Sequence, residues 1–289
     1  AGECRLQEFS VQYGKSQSRF LERKVKKPKN IELGPRVTLD AERCVLCSRC
    51  IRFMREIGKD DVLGFVDRGS FSIIIGAREN RIYRITPREN DAVTGCWIPD
   101  SHRLNFAYVN SADRLVAHSV ASKESALAPA AEAAIKALRD AGTSVAIIVS
   151  ARCTNEELLL ASLLAKELKS PTEVVPRTGE PDGILIPSDR NPNTSGAKLL
   201  GITAEPGSKL DSIRASVRSG KIKAILSIGE DLTAEAGFKP EDLAKLASLV
   251  VVGIQSTPTT QAAHVVFAGS AWAEKRGSMV NVKGRLQRL

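Results

Sequence analysis

The chain has 289 residues, a mass of 31.2 kDa and a formal net charge of +9. Hydrophobic residues make up 43% of it and charged residues 26%, which are globular values that exclude a disordered chain. No apolar run approaches the roughly 20 residues of a membrane-spanning helix, so we expect no direct membrane span. The length predicts about two domains. The polar first residues carry no signal-peptide pattern, which favours a reducing compartment.

The first part of the chain, to about residue 120, is basic and contains five of the six cysteines. Residues 23–29 read Arg-Lys-Val-Lys-Lys-Pro-Lys. Such a basic run is usually a solvated loop. The functional alternative is a docking surface for an acidic neighbour or for a negatively charged cluster.

Three cysteines lie within seven residues, at Cys44, Cys47 and Cys50. A C-x-x-C-x-x-C run places three thiolates around one corner of a cubane, so each can bind a different iron. In single-cluster proteins the fourth ligand comes from a remote segment. The motif therefore predicts an iron–sulfur cluster.

The flanking arginines, Arg43, Arg49 and Arg52, suit a cluster of net negative charge. Zinc is the competing interpretation, but structural zinc usually takes two separated ligand pairs and the chain has no second C-x-x-C. A motif that has lost its metal is a third possibility, because no fourth ligand is evident. Cys96 and Cys153 are predicted to be ordinary buried thiols.

A hairpin is predicted next, with strands at residues 71–76 and 81–85 and a turn at 78–80. The Ala-rich residues 122–141 combine a linker with a helix. Its predicted apolar face comprises Ala133, Ile135, Leu138 and Ala141.

From there the pattern alternates between strands and helices. Residues 145–149 are a continuous apolar strand, and Asn155 is the predicted N-cap of a helix over 156–169. That helix is expected to bury a wide face formed by its leucines at positions 158, 159, 160, 163, 164 and 168. The alternation predicts a mostly parallel, doubly wound sheet. The further predicted strands are 172–175, 184–186, 222–228 and 249–254, and the further helices are 210–218, ended by Gly220, and 240–249.

Ligands of such a fold bind at the loops that follow the strands, here 150–155, 229–231 and 255–259. None of these loops contains a phosphate-binding glycine motif. Glu230 and Asp231 would repel a phosphate unless a cation lay between them and the phosphate. The sequence therefore shows no nucleotide site.

Several stretches together resemble a known family. Residues 271–287 are similar to the A-x-x-A-E-x-x-G-T-x-x-N-x-x-G-R-x-Q pattern of molybdopterin oxidoreductases. The other stretches resemble the large iron–sulfur subunit of respiratory complex I, the NADH-quinone oxidoreductase. They are residues 2–9, 13–14, 18–20, 44–53, 81–88 and 97–100.

The resemblance implies an α/β chain in two parts. Residues 1–72 would be a small irregular iron–sulfur head, and 73–289 a molybdopterin-oxidoreductase-like domain with a mostly parallel sheet and no cofactor of its own. Cys44, Cys47 and Cys50 would bind a [4Fe–4S] cluster. Cys4 would match the last ligand of a neighbouring cluster.

The implied function is electron relay from NADH and flavin towards quinone, as a subunit of an NADH:quinone oxidoreductase with no substrate site of its own. The implied partners are other subunits of that membrane-associated complex, notably the flavin-bearing one, and not nucleic acid. The implied location is cytoplasmic, peripheral to the inner face of the cell membrane.

The chain also departs from the family. The partners of Cys4 would lie upstream of Ala1, and the Cys-Pro-Val-Gly-Ala segment that supplies the fourth cluster ligand is missing. Between about Ser70 and Ile73 the chain passes directly into the second domain, without the residues that the family has there. We therefore expect an N-terminally truncated member with an internal deletion, whose cluster would need Cys4, Cys96 or a non-cysteine group for completion.

Two other functions stay open. A molybdopterin-dependent oxidoreductase would need a metal ligand at a strand end, where only Cys153 is a weak candidate. A basic nucleic-acid-binding module agrees with the pI of about 9.3. Aromatic residues are only 4% of the chain, however, and no nucleic-acid-binding motif is present.

Overall fold

The computed structural model describes residues 5–15, 29, 31–34, 37–40, 49, 52–53, 57, 73–87, 90, 93, 95 and 97–289. The chain divides into two compact units, Ala1–Val66 and Asp67–Leu289. Within the described ranges, no helix combines the length and the hydrophobicity needed to cross a membrane.

In the first unit, the described elements are one helix and one hairpin. Helix α1 (Arg5–Tyr13) buries none of its side chains. Strands β1 (Ile31–Gly34) and β2 (Val37–Leu39) pair antiparallel, with Ile31 opposite Leu39.

The second unit begins with the hairpin of β3 (Ile73–Arg78) and β4 (Arg81–Pro87), which confirms the predicted hairpin. Glu79 and Asn80 both have positive φ, 49° and 62°, as a two-residue type I′ turn requires. A short helix, α2 (Asp100–Arg103), and a 3₁₀ turn at Ala107–Asn110 follow.

A seven-stranded sheet forms the centre of this unit. Its spatial order is β6-β5-β11-β10-β9-β7-β8, in which the five strands from β11 to β8 run parallel and β5 and β6 are antiparallel. The predicted mostly parallel sheet is confirmed. Its strands are β5 (His118–Val120), β6 (Lys123–Ser125), β7 (Val145–Val149), β8 (Thr172–Val174), β9 (Ala224–Ile228), β10 (Ser248–Gly253) and β11 (Val265–Ala268).

Helices cover both faces of the sheet, as the doubly wound prediction required. Strand β7 is buried throughout, with Val145, Ile147 and Val149 in one core cluster and Ala146 and Ile148 in the other. The first cluster lies under α3 (Leu127–Ala141), α4 (Asn155–Leu168) and α5 (Thr194–Leu199). The second lies under α6 (Leu210–Arg218) and α7 (Pro240–Leu243). Helix α8 (Pro258–Gln261), a 3₁₀ turn (Trp272–Glu274) and the hairpin of β12 (Ser278–Val280) and β13 (Leu286–Arg288) complete the chain.

Several local predictions were wrong. The N-cap of α4 is Thr154 rather than Asn155, because the Thr154 side chain accepts the Glu157 N–H. Residues 184–186 form a loop, not a strand, because Asp182 accepts all three of their N–H groups. Helix α7 ends at Leu243, well before residue 249. Four residues of predicted buried faces are exposed: Ile135, Leu159, Leu160 and Leu163.

Candidate functional site

The predicted cluster ligands Cys4, Cys44, Cys47 and Cys50 lie outside the described residues, as does Cys96. Their roles therefore remain predictions. The donor set itself fits an iron–sulfur cluster, because thiolates are the usual ligands of these clusters.

Ligands of a doubly wound sheet bind at the carboxyl ends of its parallel strands, and the first helix N-terminus at this edge belongs to α4. A capping box fills that N-terminus. The Glu157 N–H donates to Thr154 Oγ1 at 3.2 Å, and the Thr154 N–H donates to Glu157 Oε2 at 2.7 Å. Lys275 Nζ lies 2.7 Å from the same Glu157 Oε2. The N-terminus that could hold a phosphate therefore already holds a carboxylate paired with a lysine.

The chain segment that leads into β12 closes over this helix N-terminus. The Ser278 N–H donates to Glu156 Oε2 at 2.9 Å, and the Val280 N–H donates to the buried Asn193 Oδ1 at 2.7 Å. A Cβ at Gly277 would lie 2.5 Å from Thr154 Cγ2, so only glycine lets the segment approach this closely. The segment and the helix N-terminus are thus in direct contact.

A second ionic cluster lies where β8 and β9 end. Arg177 Nη1 donates to Glu230 Oε1 at 2.9 Å and to Asn191 Oδ1 at 3.0 Å, and Arg177 Nη2 also binds Glu235. Arg152 Nη1 reaches Glu235 Oε1 at 3.8 Å. Burial raises the pKa of Glu230 to about 7. The pKa of Glu235 is below its usual value because the hydrogen bond with Glu230 and the charges of Arg177 and Arg152 together outweigh its partial burial.

Asp231 forms an internal cap beside this cluster. Its Oδ1 accepts from the Thr233 N–H at 3.0 Å and from the hydroxyl of the buried Thr259 at 2.5 Å. These bonds lower the pKa of Asp231, although partial burial opposes them. The carboxylate therefore ties the end of β9 to the loop after β10.

Cys153 is buried at this edge, as predicted for an ordinary thiol. Desolvation, with a smaller contribution from the nearby Glu157 charge, raises its pKa to about 12. Such a thiol stays protonated and is a poor metal ligand or nucleophile at neutral pH. The molybdopterin-dependent alternative therefore gains no support from Cys153.

The carboxyl edge as a whole holds internal ion pairs and caps. Three of its carboxylates, on Glu157, Glu230 and Asp231, occupy the positions where phosphates would need donors. These residues do not fit the phosphates of a pterin dinucleotide. The arrangement can hold the strand-end loops together.

The second unit is a doubly wound α/β domain. Its own side chains occupy the carboxyl ends of the parallel strands, where ligands of this fold normally bind. Residues 110–289 match the family model for molybdopterin oxidoreductase, which is more than half of the chain. The chain therefore belongs to the molybdopterin oxidoreductase family. Residues 34–84 match a further model, the ferredoxin-like domain of NADH-quinone oxidoreductase subunit 3.

Curated relatives agree with both matches. NADH-quinone oxidoreductase subunit 3 of Thermus thermophilus is 27% identical over 262 residues, covering 65% of this chain and 33% of that protein. An NADH-quinone oxidoreductase subunit of Streptomyces coelicolor is 27% identical over 185 residues, covering 45% and 22%. Another from Mycobacterium bovis is 42% identical over 69 residues, covering 24% and 9%. The chain thus spans at most a third of the length of these relatives.

These matches confirm the predicted family resemblance and the iron–sulfur character of the region that contains the cysteine motif. They do not favour the nucleic-acid-binding alternative. The ferredoxin-like match crosses the predicted domain boundary at residues 72 and 73, and that boundary stays a prediction. The sequence did not predict the ion-pair residues Arg177 and Lys275 or the hydrogen-bonded Asn193, since Glu230, Glu157 and Cys153, which they contact, lie 40 or more residues away in the sequence.

Proposed function

We propose that this chain is an electron-transfer subunit of an NADH:quinone oxidoreductase, in which it relays electrons from NADH and flavin towards quinone. The observation that carries this proposal is the ferredoxin-like match over residues 34–84, because that stretch contains the whole C-x-x-C-x-x-C motif. The matched relatives are named as subunits of the same oxidoreductase.

In this proposal Cys44, Cys47 and Cys50 bind a [4Fe–4S] cluster. When bound, such a cluster takes up and releases one electron at a time by outer-sphere transfer. The two described arginines of the motif, Arg49 and Arg52, are exposed. Their positive charge supports the reduced, more negative state of a thiolate-bound cluster and so raises its reduction potential.

The remaining ligand assignments follow from the family resemblance. Cys4 is the proposed remnant ligand of a neighbouring cluster, and Cys4, Cys96 or a non-cysteine group completes the ligand set of the motif. The proposed domain division is an iron–sulfur head at 1–72 and an α/β domain at 73–289.

The α/β domain serves as a scaffold in this proposal. This role is supported by the ion pairs at the carboxyl edge, in which the side chains of Arg177, Glu230 and Lys275 are already engaged. A domain with that edge contributes a rigid surface for assembly rather than chemistry on a substrate.

The proposed partners are other subunits of the same oxidoreductase, including the flavin-bearing subunit. The proposed location is the inner face of the cell membrane, where the chain is peripheral and held by those subunits. The names of the matched relatives, as subunits of an NADH-quinone oxidoreductase, support the proposed partners, whereas the proposed location follows from the family resemblance.

Anaerobic reconstitution of the full chain with iron and sulfide tests the proposal. We expect about four irons per chain and a paramagnetic signal on reduction with dithionite. Cys47→Ser should reduce both, whereas the matched control Cys153→Ala, which alters a buried thiol outside the motif, should leave both unchanged. Retention of zinc alone, or equal loss in both variants, would falsify the cluster assignment.

A further inference from the structure

Three leucines of helix α4 point away from the core. Leu159 is 46% exposed, Leu160 is 67% exposed and Leu163 is 52% exposed. Packing against the sheet does not account for them, because a different side of the helix is buried, formed by Leu158, Ala161, Ser162 and Ala165. We call all the exposed residues of α4 together its outer face; they are Glu156, Leu159, Leu160, Leu163, Lys166 and Glu167.

The apolar surface continues from α4 onto the neighbouring helix α5. Ser162 Oγ donates to the Leu200 carbonyl at 2.9 Å, which holds the end of α5 beside α4. Leu199, the last residue of α5, is 76% exposed. A single exposed leucine is ordinary on a protein surface, whereas a group of them marks a contact with another molecule.

The outer face has the residue spacing of a helix–helix contact. Its central stripe has intervals of three, four and three residues, as the a and d positions of a heptad do. In chain order the stripe consists of Glu156, Leu159, Leu163 and Lys166. When a second copy of this helix lies antiparallel to the first, Glu156 of one copy faces Lys166 of the other, and Leu159 faces Leu163. The stripe is therefore complementary to itself, as a two-fold interface requires.

The charges at the two ends of α4 preserve this complementarity. At the amino end, Glu157 is already paired with Lys275 at 2.7 Å. Glu156 accepts hydrogen bonds only from Ser278 among the described residues, so its carboxylate is held in place without losing its charge. At the carboxyl end, the exposed charged residues have a net positive charge; they are Lys166, Glu167 and Lys169. One end of the helix is thus acidic and the other basic.

We propose that the outer face of α4 binds a second copy of this chain, with the two α4 helices antiparallel. Nucleic acid and anionic lipid are disfavoured, because Glu156 and Glu167 would repel both. The outer face and Leu199 are fewer residues than the roughly 20–30 that each partner contributes to a standard interface. We therefore expect a dimer that forms reversibly, at micromolar concentrations or above. The proposal goes beyond the electron-transfer function and does not depend on it.

Sedimentation equilibrium of the full chain, from about 1 to 200 micromolar, tests the dimer. The average mass should rise with concentration from 31.2 kDa towards twice that value. Leu163→Gln should weaken the association at least about tenfold, because each copy loses an apolar contact. The control Val116→Gln should leave it unchanged. Val116 is 91% exposed and precedes β5, which lies four strands away from β7, the strand that leads into α4.

An exchange of charges tests the antiparallel arrangement. Lys166→Glu places two acids opposite each other and Glu156→Lys places two bases opposite each other, so each variant alone should associate about fivefold more weakly. An equimolar mixture of the two variants should associate as well as the unmodified chain, because each then supplies the charge that the other lacks. Loss of the Glu156–Ser278 contact within one chain cannot imitate this recovery.

Three results would overturn the proposal. A chain that stays monomeric at every concentration points to a different protein as the partner of the outer face. Equal weakening by Leu163→Gln and Val116→Gln assigns the dimer to another surface. A mixture that associates no better than either charge variant alone excludes the antiparallel pairing. The iron content of the chain affects none of these results, so the cluster assignment and the dimer can fail separately.

Discussion

The two edges of the seven-stranded sheet hold the same kinds of charged side chain in opposite arrangements. At the carboxyl edge, Arg177 pairs with Glu230 and Glu235, and Lys275 pairs with Glu157. At the amino edge, Lys221 and Lys223 are exposed and form no salt bridge with the described residues. In this fold the carboxyl edge is normally the ligand edge. The difference indicates that charged side chains hold the loops of the carboxyl edge together, whereas those at the amino edge are solvated.

Burial explains why the two edges should respond differently to mutation. The Glu230 side chain has no exposed surface and Arg177 is 13% exposed, so each charge depends on the other for solvation. Lys221 and Lys223 at the amino edge are exposed and depend on no partner for solvation. We therefore expect large effects of mutation on stability at the carboxyl edge and small effects at the amino edge.

The largest expected effect is that of Arg177→Met. It leaves the buried Glu230 without its cation, which should lower the free energy of unfolding at pH 8 by about 3–5 kcal/mol. Urea denaturation followed by circular dichroism measures the loss. Adding Glu230→Gln should recover much of it, because the uncompensated charge is then gone. If the double variant is no more stable than Arg177→Met alone, the buried charge is not the cause.

The second-largest effect on the free energy of unfolding is expected for Asn193→Ala. This variant tests the contact between the segment that contains β12 and the carboxyl edge of the sheet. Asn193 accepts the Val280 N–H and donates to the Cys153 carbonyl, and it is fully buried. Two neutral backbone groups lose their partners at about 1–2 kcal/mol each, so a loss of about 2–4 kcal/mol is expected.

Amide hydrogen exchange locates this second effect. The Val280 amide should lose protection in Asn193→Ala while the Leu226 amide, in the middle of the sheet, keeps it. Equal loss at both amides would mean global destabilisation and would argue against a local fastening.

How far the sequence predicts these features depends on whether the pattern is local. Strand β7 and helix α6 with its terminating Gly220 are local patterns, and their predicted bounds agree with the structure. The N-cap error was avoidable, since Thr154 and Glu157 have the capping-box spacing. The leucines of α4 could not all be buried, because successive helical residues turn by about 100° and only one face meets the sheet.

The side-chain contacts at the carboxyl edge could not be predicted from local sequence patterns. The sequence showed that Glu230 and Asp231 lie in the loop after a strand, but it did not predict their partners. Arg177 is 53 residues from Glu230, and no local periodicity connects them. Only the order β9-β7-β8 brings the ends of β8 and β9 to the same edge.

The third effect is a pH dependence of stability from the same buried pair. The pKa of Glu230 is raised from 4.5 to about 7 by burial, so between these pH values the folded chain binds more protons than the unfolded chain. Its contribution to stability is therefore present below about pH 4.5 and is lost as the pH rises through 7. The pKa of Glu235 is lowered from 4.5, so the titration of Glu235 changes the stability only below about pH 4.5.

Comparison of the unmodified chain with Glu230→Gln isolates this contribution. From pH 5 to pH 8 the unmodified chain should lose on the order of 1–3 kcal/mol relative to the variant. His102, whose pKa is lowered by burial and by Arg190, changes stability in the opposite direction but equally in both proteins. Parallel stability curves for the two proteins would exclude a raised Glu230 pKa.

The smallest expected effect on stability is at the amino edge. Lys221→Gln/Lys223→Gln removes two exposed charges that have no ionic partner among the described residues, so the free energy of unfolding should change by no more than about 0.5 kcal/mol per substitution. The same urea denaturation measures it, with Lys283→Gln as a control that removes an exposed lysine from outside the seven-stranded sheet. A loss as large as that of Arg177→Met would show that Lys221 and Lys223 stabilise the fold, and the contrast between the two edges would then be wrong. An unchanged stability is expected because a solvated lysine gains little from folding, whereas the buried Glu230 depends on Arg177.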